Sequence, residues 1–279
     1  MATLKEIKSH IKSVDDTAKI TSAMYLISSG KYKALKSQIA LFSPYMNSLE
    51  AEIESAGEGV TAEECVYTRK GGGDTAVLAV ASDKGLCGDY NRAVFRTLQR
   101  TLAENPQAKV FAIGAKLKKL LDAAGIKYEK DFDFPMKNPD EAFSAKISEY
   151  FCSAFREERF SRVSAVYTSF EDGRKAVEKT LLPINAERDE TQVTEFEYFP
   201  SKTDVLDCLV PIYLSGVFFN IFLQSYISEQ YSRMLAMDSA NINATSLLEE
   251  LKIQYNHLRQ NAITTEITEI SNERKRNDR

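Results

Sequence analysis

The chain has 279 residues, of which 43% are hydrophobic and 27% charged, a composition typical of a soluble protein with a domain core of ordinary size. The formal net charge of −4 gives no support to nucleic acid as the main partner. Both histidines, His10 and His257, fall in predicted long helices, so we expect neither a zinc site nor histidine-based catalysis in the globular part.

The four cysteines show no short spacing of the kind that binds metals. The first ten residues do not resemble a secretory signal. We therefore expect a reducing, cytosol-facing compartment and no metal site. The cysteines are Cys65, Cys87, Cys152 and Cys208.

The N-terminal segment has the pattern of one long helix. Thr3 and Glu6 form a potential capping box, which predicts a helix from about residue 4 to residue 54. Pro44 preserves the phase of the pattern, so we expect a kink near Ser43 rather than an end. Small and polar residues in mid-helix indicate either a local packing adjustment or a surface that moves against a partner. The heptad positions are Leu4, Ile7, Ile11, Val14, Ala18, Thr21, Tyr25, Ser28, Tyr32, Leu35, Ile39, Phe42, Met46, Leu49 and Ile53.

The middle of the chain has alternating β and α patterns, which predict a small, open and largely parallel α/β sheet. A glycine-rich stretch at residues 55–74 predicts a mobile connector before it. The predicted strands are 75–81, 109–114, 126–132, 162–171, 176–182 and 194–199, and the predicted helices are 90–103, 115–124 and 140–159.

The loop after the first predicted strand is the one candidate for small-molecule chemistry. A glycine-rich turn that opens a helix binds phosphate in some proteins, which would make the chain an enzyme using the loop between Gly85 and Gly88. Its spacing matches neither the P-loop nor the dinucleotide fingerprint, and a tight structural turn is the simpler interpretation. With no histidine nearby, we expect Cys87 to be a packed or partly exposed thiol. The loop is Ser82, Asp83, Lys84, Gly85, Leu86, Cys87 and Gly88.

The last third, residues 204–269, predicts one helix roughly 100 Å long, because no proline or glycine follows Gly216. Its apolar and small residues also recur with heptad spacing, and we call such a row of positions a seam. A seam in each terminal helix favours pairing of this helix with the N-terminal one over an ordinary helical bundle. The apolar run 209–227 approaches the length of a membrane span, but Pro211, Asn220 and Gln224 favour a helix buried against the rest of the chain. The seam positions are Ile227, Tyr231, Met234, Met237, Asn241, Ala244, Leu248, Leu251, Tyr255, Leu258 and Ala262.

These patterns predict an α/β insert between two long terminal helices that form an antiparallel coiled coil. The predicted parts are an N-terminal helix (1–56), a linker (57–74), a small Rossmann-like α/β domain (75–203), and a C-terminal helix with a charged tail (204–279).

Three segments resemble the gamma subunit of F-type ATP synthase. Lys19-Ile20-Thr21-Ser22-Ala23-Met24 is similar to that family's Lys-Ile-Thr-Lys-Ala-Met motif. The loop 82–88 with Asn91 is similar to its Ser-Asp-Arg/Lys-Gly-Leu-Cys-Gly-Gly motif. The C-terminal block resembles the family's nearly residue for residue at Ser228-Glu229, Arg233-Met234, Ala236-Met237, Asn243-Ala244, Leu251, Tyr255-Asn256, Arg259-Gln260, Ile263-Thr264 and Glu266 to Ile270.

The resemblance implies a rotor rather than an active site. In that family the coiled coil turns inside a hexameric ring of alternating alpha and beta subunits, and the α/β insert meets the epsilon subunit and the membrane c-ring. It implies no catalytic residue, cofactor or membrane span in this chain, and a peripheral position on the cytoplasmic face of a bacterial cell membrane. The implied rotor contacts with the ring are Met24, Arg233, Arg259, Gln260, Thr264 and Glu266.

The sequence departs from the family pattern at three places. Ser22 replaces a common lysine, and Asp89 replaces the second glycine of the loop. Residues 271–279 form a charged tip where the family has a small, apolar one, and such a tip is costly to bury in an apolar sleeve. It would protrude into solvent, meet a polar bearing, or mark a divergent paralogue that serves a variant ring ATPase.

Overall fold

A computed structural model describes residues 3–57, 60–61, 64–69, 73–132, 134, 139–184 and 197–277, with side chains described as far as Ser271 in the last helix. Its elements are α1 (Leu4–Gly57), β1 (Asp74–Val80), α2 (Tyr90–Glu104), β2 (Lys109–Ile113), α3 (Ala115–Ala124), α4 (Glu141–Arg156), β3 (Phe160–Ser169), β4 (Lys175–Leu182) and α5 (Lys202–Asn277). They belong to two compact units, one of residues 29–232 and one combining the chain up to residue 28 with the chain from residue 233.

The sheet lies in the unit 29–232 and has the order β2-β1-β3-β4. Strand β1 is parallel to both β2 and β3, and β4 is antiparallel to β3. β1 is buried on both faces, which explains its nearly continuous apolar sequence. The central pairs are parallel, as predicted, and the hairpin β3-β4 supplies the antiparallel edge.

Helices cover both faces of the sheet. On one face, Val77 and Ala79 of β1 pack with Leu98 of α2 and Leu117 of α3. The other face packs against α4 and α5 through aromatic rings. Phe151 of α4 lies with its ring centroid 5.1 Å from that of Phe111 in β2, and it stacks on Phe218 of α5 at 5.7 Å. The sheet is therefore the middle layer of three.

One stretch within residues 202–271 is apolar and long enough to cross a membrane, with a mean hydropathy of 1.8 over its best window. Its most apolar side chains lie in the core of the unit. Phe218 and Phe222 are fully buried, and Phe219 packs on Phe42 of α1 with ring centroids 5.0 Å apart. The prediction that residues 209–227 pack inside the chain is confirmed.

Within the unit 29–232, the two long helices run antiparallel. Lys31 Nζ donates to the Tyr226 hydroxyl at 3.0 Å. Further along α1, Tyr213 donates its hydroxyl hydrogen to Glu50 Oε1 at 3.1 Å. As the residue number on α1 increases, the number of the residue that it contacts on α5 decreases.

The second unit pairs the beginning of α1 with the last part of α5. Its buried side chains fall at the predicted seam positions, among them Ile7, Thr21, Met237, Ala244 and Leu251. The predicted antiparallel coiled coil is confirmed. The burial of Thr21 favours a packing adjustment as the reason for the small and polar seam residues.

The start of α1 has the predicted capping box. The Thr3 N–H donates to Glu6 Oε2 at 2.7 Å, and the Glu6 N–H donates to Thr3 Oγ1 at 3.3 Å. Pro44 lies inside the helix without ending it, also as predicted.

Two predictions in the middle of the chain are wrong. The segment 126–132 is not a strand; after the left-handed Gly125 ends α3, it bonds to β2 through the Glu129 N–H and Val110 O at 2.9 Å. The connector 55–74 begins inside α1, and its Tyr67 is fully buried, with its carbonyl accepting the Ile184 N–H. Of the predicted strand 194–199, residues 194–196 lie outside the described residues and 197–199 are not in a strand.

Candidate functional site

The C-terminal part of α5 has an exposed apolar stripe, which we call the outer stripe. It consists of Leu235, Ile242, Ile253 and Ile267, whose exposed fractions are 49%, 59%, 58% and 62%. Their spacings of 7, 11 and 14 residues return to nearly the same side of an α-helix. The buried seam residues Ala244 and Leu251 lie on another side. Large exposed apolar side chains that recur along one side of a long helix make that side a candidate contact surface.

Two of the predicted polar contacts of α5, Gln260 and Thr264, lie on the side of the outer stripe. Arg259 and Glu266 are each turned by about 100° from it. Gln260 is midway between Ile253 and Ile267, seven residues from each. Gln260 and its neighbour Arg259 are exposed, as are Thr264 and Glu266 in the following turns. Their side chains are available to a partner.

Met24 lies on α1 between two exposed isoleucines. Ile20 and Ile27 are 61% and 59% exposed, and Met24 itself is half-buried. The spacing of four and three residues places the three side chains on one helix face. Met24 therefore belongs to an apolar face of α1 in the same unit as the outer stripe.

Arg233 differs from the other five predicted contacts because it is only 6% exposed. A guanidinium buried within its own chain is not available to a second subunit. We therefore leave Arg233 out of the proposed contact surface and assign it to packing within the chain.

The loop 82–88 is held by its own hydrogen bonds. The Ser82 N–H donates to Asn91 Oδ1 at 3.0 Å, and Ser82 Oγ lies 2.7 Å from the carbonyl oxygen of Lys84. Asn91 Nδ2 donates to the sulfur of Cys87 at 3.2 Å. Cys87 is only 2% exposed, so the thiol is packed, one of the two alternatives expected from the sequence.

The remaining loop residues also serve the fold. Asp83 Oδ1 accepts the Ala115 N–H at 2.9 Å, which caps α3. Leu86 and Gly88 adopt positive φ angles of 63° and 58°, which the tight turn requires. Asp89 has φ of −87° and pairs with Arg96, so a side chain is tolerated at this departure from the family pattern.

The crevice at the carboxyl ends of β1 and β3 is occupied by the chain itself. This is the point where the strand order reverses, and it is the usual ligand site of open α/β sheets. The Tyr90 hydroxyl donates to the carbonyl oxygen of Ser225 at 3.0 Å, and Ser228 Oγ donates to Thr168 O at 3.4 Å. Burial raises the pKa of Tyr90 well above its ordinary value, so the phenol stays protonated.

Gln224 attaches α5 to the end of β3. Its Oε1 accepts the Ser169 hydroxyl at 3.1 Å and the Phe170 N–H at 3.2 Å, and its Nε2 donates to Glu171 at 3.2 Å. Gln224 is only 3% exposed, so its amide would be costly to leave unpaired.

We expect Gln224→Ala to lower the free energy of unfolding by about 2 kcal/mol, because it leaves the buried Ser169 hydroxyl and the partly buried Phe170 N–H without their acceptor. The measurement is urea unfolding followed by circular dichroism. The matched control, Gln254→Ala on an exposed turn of α5, should change it by less than about 0.5 kcal/mol. Equal effects of the two substitutions would contradict this role for Gln224.

Within the described ranges, no three His, Cys, Asp or Glu side chains lie close enough together to hold a metal ion.

Comparison with known proteins agrees with this geometry. A family model described as ATP synthase matches residues 3–272. The chain is 31% identical over 288 residues to the ATP synthase gamma chain of Ruminiclostridium cellulolyticum, covering 96% of each protein. It is 32% identical to that of Caldanaerobacter subterraneus subsp. tengcongensis, covering 95% of this chain and 97% of the relative. The chain belongs to the ATP synthase gamma chain family.

Solved structures share the fold at low sequence identity. A chain of the rotor of Euglena gracilis mitochondrial ATP synthase is 16% identical with a TM-score of 0.65, covering 93% of this chain and 98% of that one. A chain of the Tetrahymena thermophila central stalk and c-ring structure is 21% identical with a TM-score of 0.58, covering 79% and 99%. The two-helix architecture with an α/β insert is thus found in other ATP synthases.

The motifs of the gamma chain family predicted one apolar contact, Met24, and five polar ones, and the exposed isoleucines were not among them. A usable signal was present in the sequence, because Ile242 and Ile253 are out of phase with the seam. Large apolar residues that a heptad pattern does not bury are candidates for contacts with another chain.

Proposed function

We propose that this member of the gamma chain family is the rotor shaft of an ATP synthase, turning inside a hexameric ring of alternating alpha and beta subunits. The observation that carries the proposal is the outer stripe, which leaves Ile242, Ile253 and Ile267 exposed on a helix whose other side is already paired. Exposed isoleucines at these spacings fit a shaft surrounded by other subunits and are costly on a helix that only water surrounds.

The proposed mechanism depends on the asymmetry of the shaft. Arg259 is turned by about 100° from Gln260 and the outer stripe, so the shaft has chemically different sides. One orientation changes the nucleotide affinity of a beta subunit only if it binds the open and closed forms of that subunit with different free energies. Continuous helices suit this task because they transmit torque over many turns.

We further propose that the chain itself is not catalytic. The occupied crevice around Tyr90 and Ser225 supports this, because the usual ligand position of the sheet is filled. The internal bonding of Ser82 and Asp83 supports a structural role for the loop over the alternative of an enzyme site.

The α/β insert is proposed to meet the epsilon subunit and the c-ring. The solved structures with this fold include rotor and c-ring assemblies, as their titles state. The unit 29–232 exposes two large apolar side chains, Leu41 of α1 at 81% and Phe199, which precedes α5, at 93%, which supports contacts with further subunits. We propose a peripheral position for the chain on the cytoplasmic face of a bacterial cell membrane.

The double substitution Arg259→Ala with Gln260→Ala tests the shaft assignment. We expect the assembled complex to pump fewer protons for each ATP that it hydrolyses, because the shaft loses polar contacts with the catalytic subunits. Proton pumping and ATP hydrolysis are measured together in membrane vesicles. The control Gln254→Ala with Asn261→Ala changes two exposed residues on another side of α5, and we expect it to leave coupling unchanged. Normal coupling and assembly in the first variant would overturn these two contacts.

One observation supports a divergent paralogue as the second candidate. The family match ends at residue 272, before the charged tip that departs from the pattern. Purification of the chain from its own cells distinguishes the two. Recovery of alpha, beta and epsilon in an active ATPase supports the rotor of a conventional synthase, and recovery with another ATPase ring supports the paralogue.

A further inference from the structure

A cleft of about 800 Å³ lies between α1, α4 and α5, entirely within the unit 29–232. The space exists because small side chains face it from two helices. Ala145 and Ser148 line it from α4, and Ser215 and Gly216 line it from α5. Its volume is within the range of cavities that bind drug-sized molecules.

Aromatic rings form one end of this cleft. Phe42 lies with its ring centroid 5.0 Å from that of Phe219 and 5.9 Å from that of Tyr45. Tyr45 is 51% exposed, so part of this aromatic wall is open to a ligand. Such a wall fits the apolar body of a ligand, and its ring faces favour a cation.

The buried polar groups in the wall already have partners. Ser148 Oγ donates to the carbonyl oxygen of Pro211 at 3.2 Å and lies 3.8 Å from the sulfur of Cys152. Burial raises the pKa of the Cys152 thiol, which therefore stays neutral. The buried part of a ligand therefore needs no polar group to satisfy the hydrogen bonds of the wall.

The charged groups at the rim favour a cation. Arg156 donates to the Tyr67 hydroxyl, and its guanidinium carbon lies 5.6 Å from the centre of the Tyr67 ring, so these contacts orient the guanidinium and leave its positive charge in the lining. Glu141 and Glu149 are exposed at the rim and have no ion-pair partner among the described residues. Two carboxylates against one guanidinium leave the lining with a net formal charge of −1, which favours a cation.

We propose that this cleft binds an amphipathic amine, a molecule with an aromatic or acyl body and one protonated nitrogen. The body fills the space between Ala145 and Phe219, and the ammonium group lies at the rim near Glu149. This site is separate from the outer stripe and does not depend on the shaft assignment. A ligand there contacts three helices at once and stabilises the unit 29–232 against unfolding.

Three probes that share a twelve-carbon alkyl tail and differ in head group test the proposal on the full-length protein. They are dodecylamine, dodecanol and dodecanoate, each used below its micelle concentration and measured by equilibrium dialysis. We expect saturable binding that is tightest for dodecylamine and weakest for dodecanoate. Equal binding of all three, or a preference for dodecanoate, would overturn the assignment of the rim charge.

Two variants locate the bound amine. Ala145→Leu should weaken dodecylamine binding at least about tenfold, because the larger side chain fills the cleft. The matched control is Ala142→Leu, which makes the same change at an exposed position of α4 outside the lining. Glu149→Gln leaves the core intact and should weaken binding about three- to fivefold. Unchanged binding in either of the two cleft variants would overturn the site.

The assembled complex supplies the last arm of the test. Dodecylamine binding that persists in the complex, and is still weakened by Glu149→Gln, supports a ligand site in the working protein. Binding by the free chain that is lost in the complex would show that another subunit covers the cleft, and would overturn the proposal of a small-molecule site.

Discussion

Gly114→Ala is expected to destabilise the unit 29–232 by about 3 kcal/mol or more. Gly114 follows β2 with φ of 105°, a conformation that L side chains rarely adopt. An added Cβ would lie 2.4 Å from the carbonyl oxygen of Ala81. The backbone at the ends of β1 and β2 would have to separate, which would displace the Ser82 loop as well. Urea unfolding followed by circular dichroism measures the change.

Gly125→Ala is the matched control for Gly114→Ala. Gly125 ends α3 with φ of 68°, but an added Cβ would meet nothing within 4 Å. Its expected cost is about 1 kcal/mol, for the left-handed conformation alone. A loss of stability no greater for Gly114→Ala than for Gly125→Ala would show that the backbone contact at Ala81 is not limiting.

Ile253→Glu with Ile267→Glu is expected to abolish incorporation of the chain into an active complex while leaving the chain folded. Both isoleucines are exposed on the outer stripe, so the folded chain loses little packing. In the proposed complex, each carboxylate would be buried against another subunit without a partner, at a cost of several kcal/mol. Co-purification with alpha and beta subunits measures assembly, and circular dichroism of the free chain measures folding.

The control for this pair carries the same added charge on another side of the helix. Gln254→Glu with Asn261→Glu changes two exposed residues, each turned by about 100° from its neighbour on the side of the outer stripe. We expect this variant to assemble. If both double variants assemble equally well, the outer stripe is not the contact surface; if neither does, net charge rather than position explains the effect.

The candidate surface was only partly predictable from the sequence. Motif positions such as Gln260 and Thr264 are exposed, as a contact requires. Arg233 belongs to the same motif block and is buried, a difference that a motif alone does not reveal. Spacing identifies the side of a helix on which a residue lies, but burial depends on what packs against that side.

Local and periodic features were determined by the sequence itself. Heptad spacing predicted both long helices and their pairing, because a 3.5-residue period places apolar side chains on one stripe that needs a partner. The capping box formed by Thr3 and Glu6 predicted the start of α1 for the same local reason. The bounds of α3, Ala115–Ala124, also agree with the prediction, since a glycine precedes and follows that helix.

Contacts between distant parts of the chain were decided only by the tertiary structure. Residues 126–132 have strand-like composition, and the Glu129 N–H donates a hydrogen bond to the carbonyl oxygen of Val110 in β2. The segment nevertheless does not form a strand. The filled crevice depends on Tyr90 meeting Ser225, residues 135 positions apart, which no local pattern encodes. Sequence periodicity determines which groups must be buried, whereas the free energy of packing the whole chain decides which groups bury them.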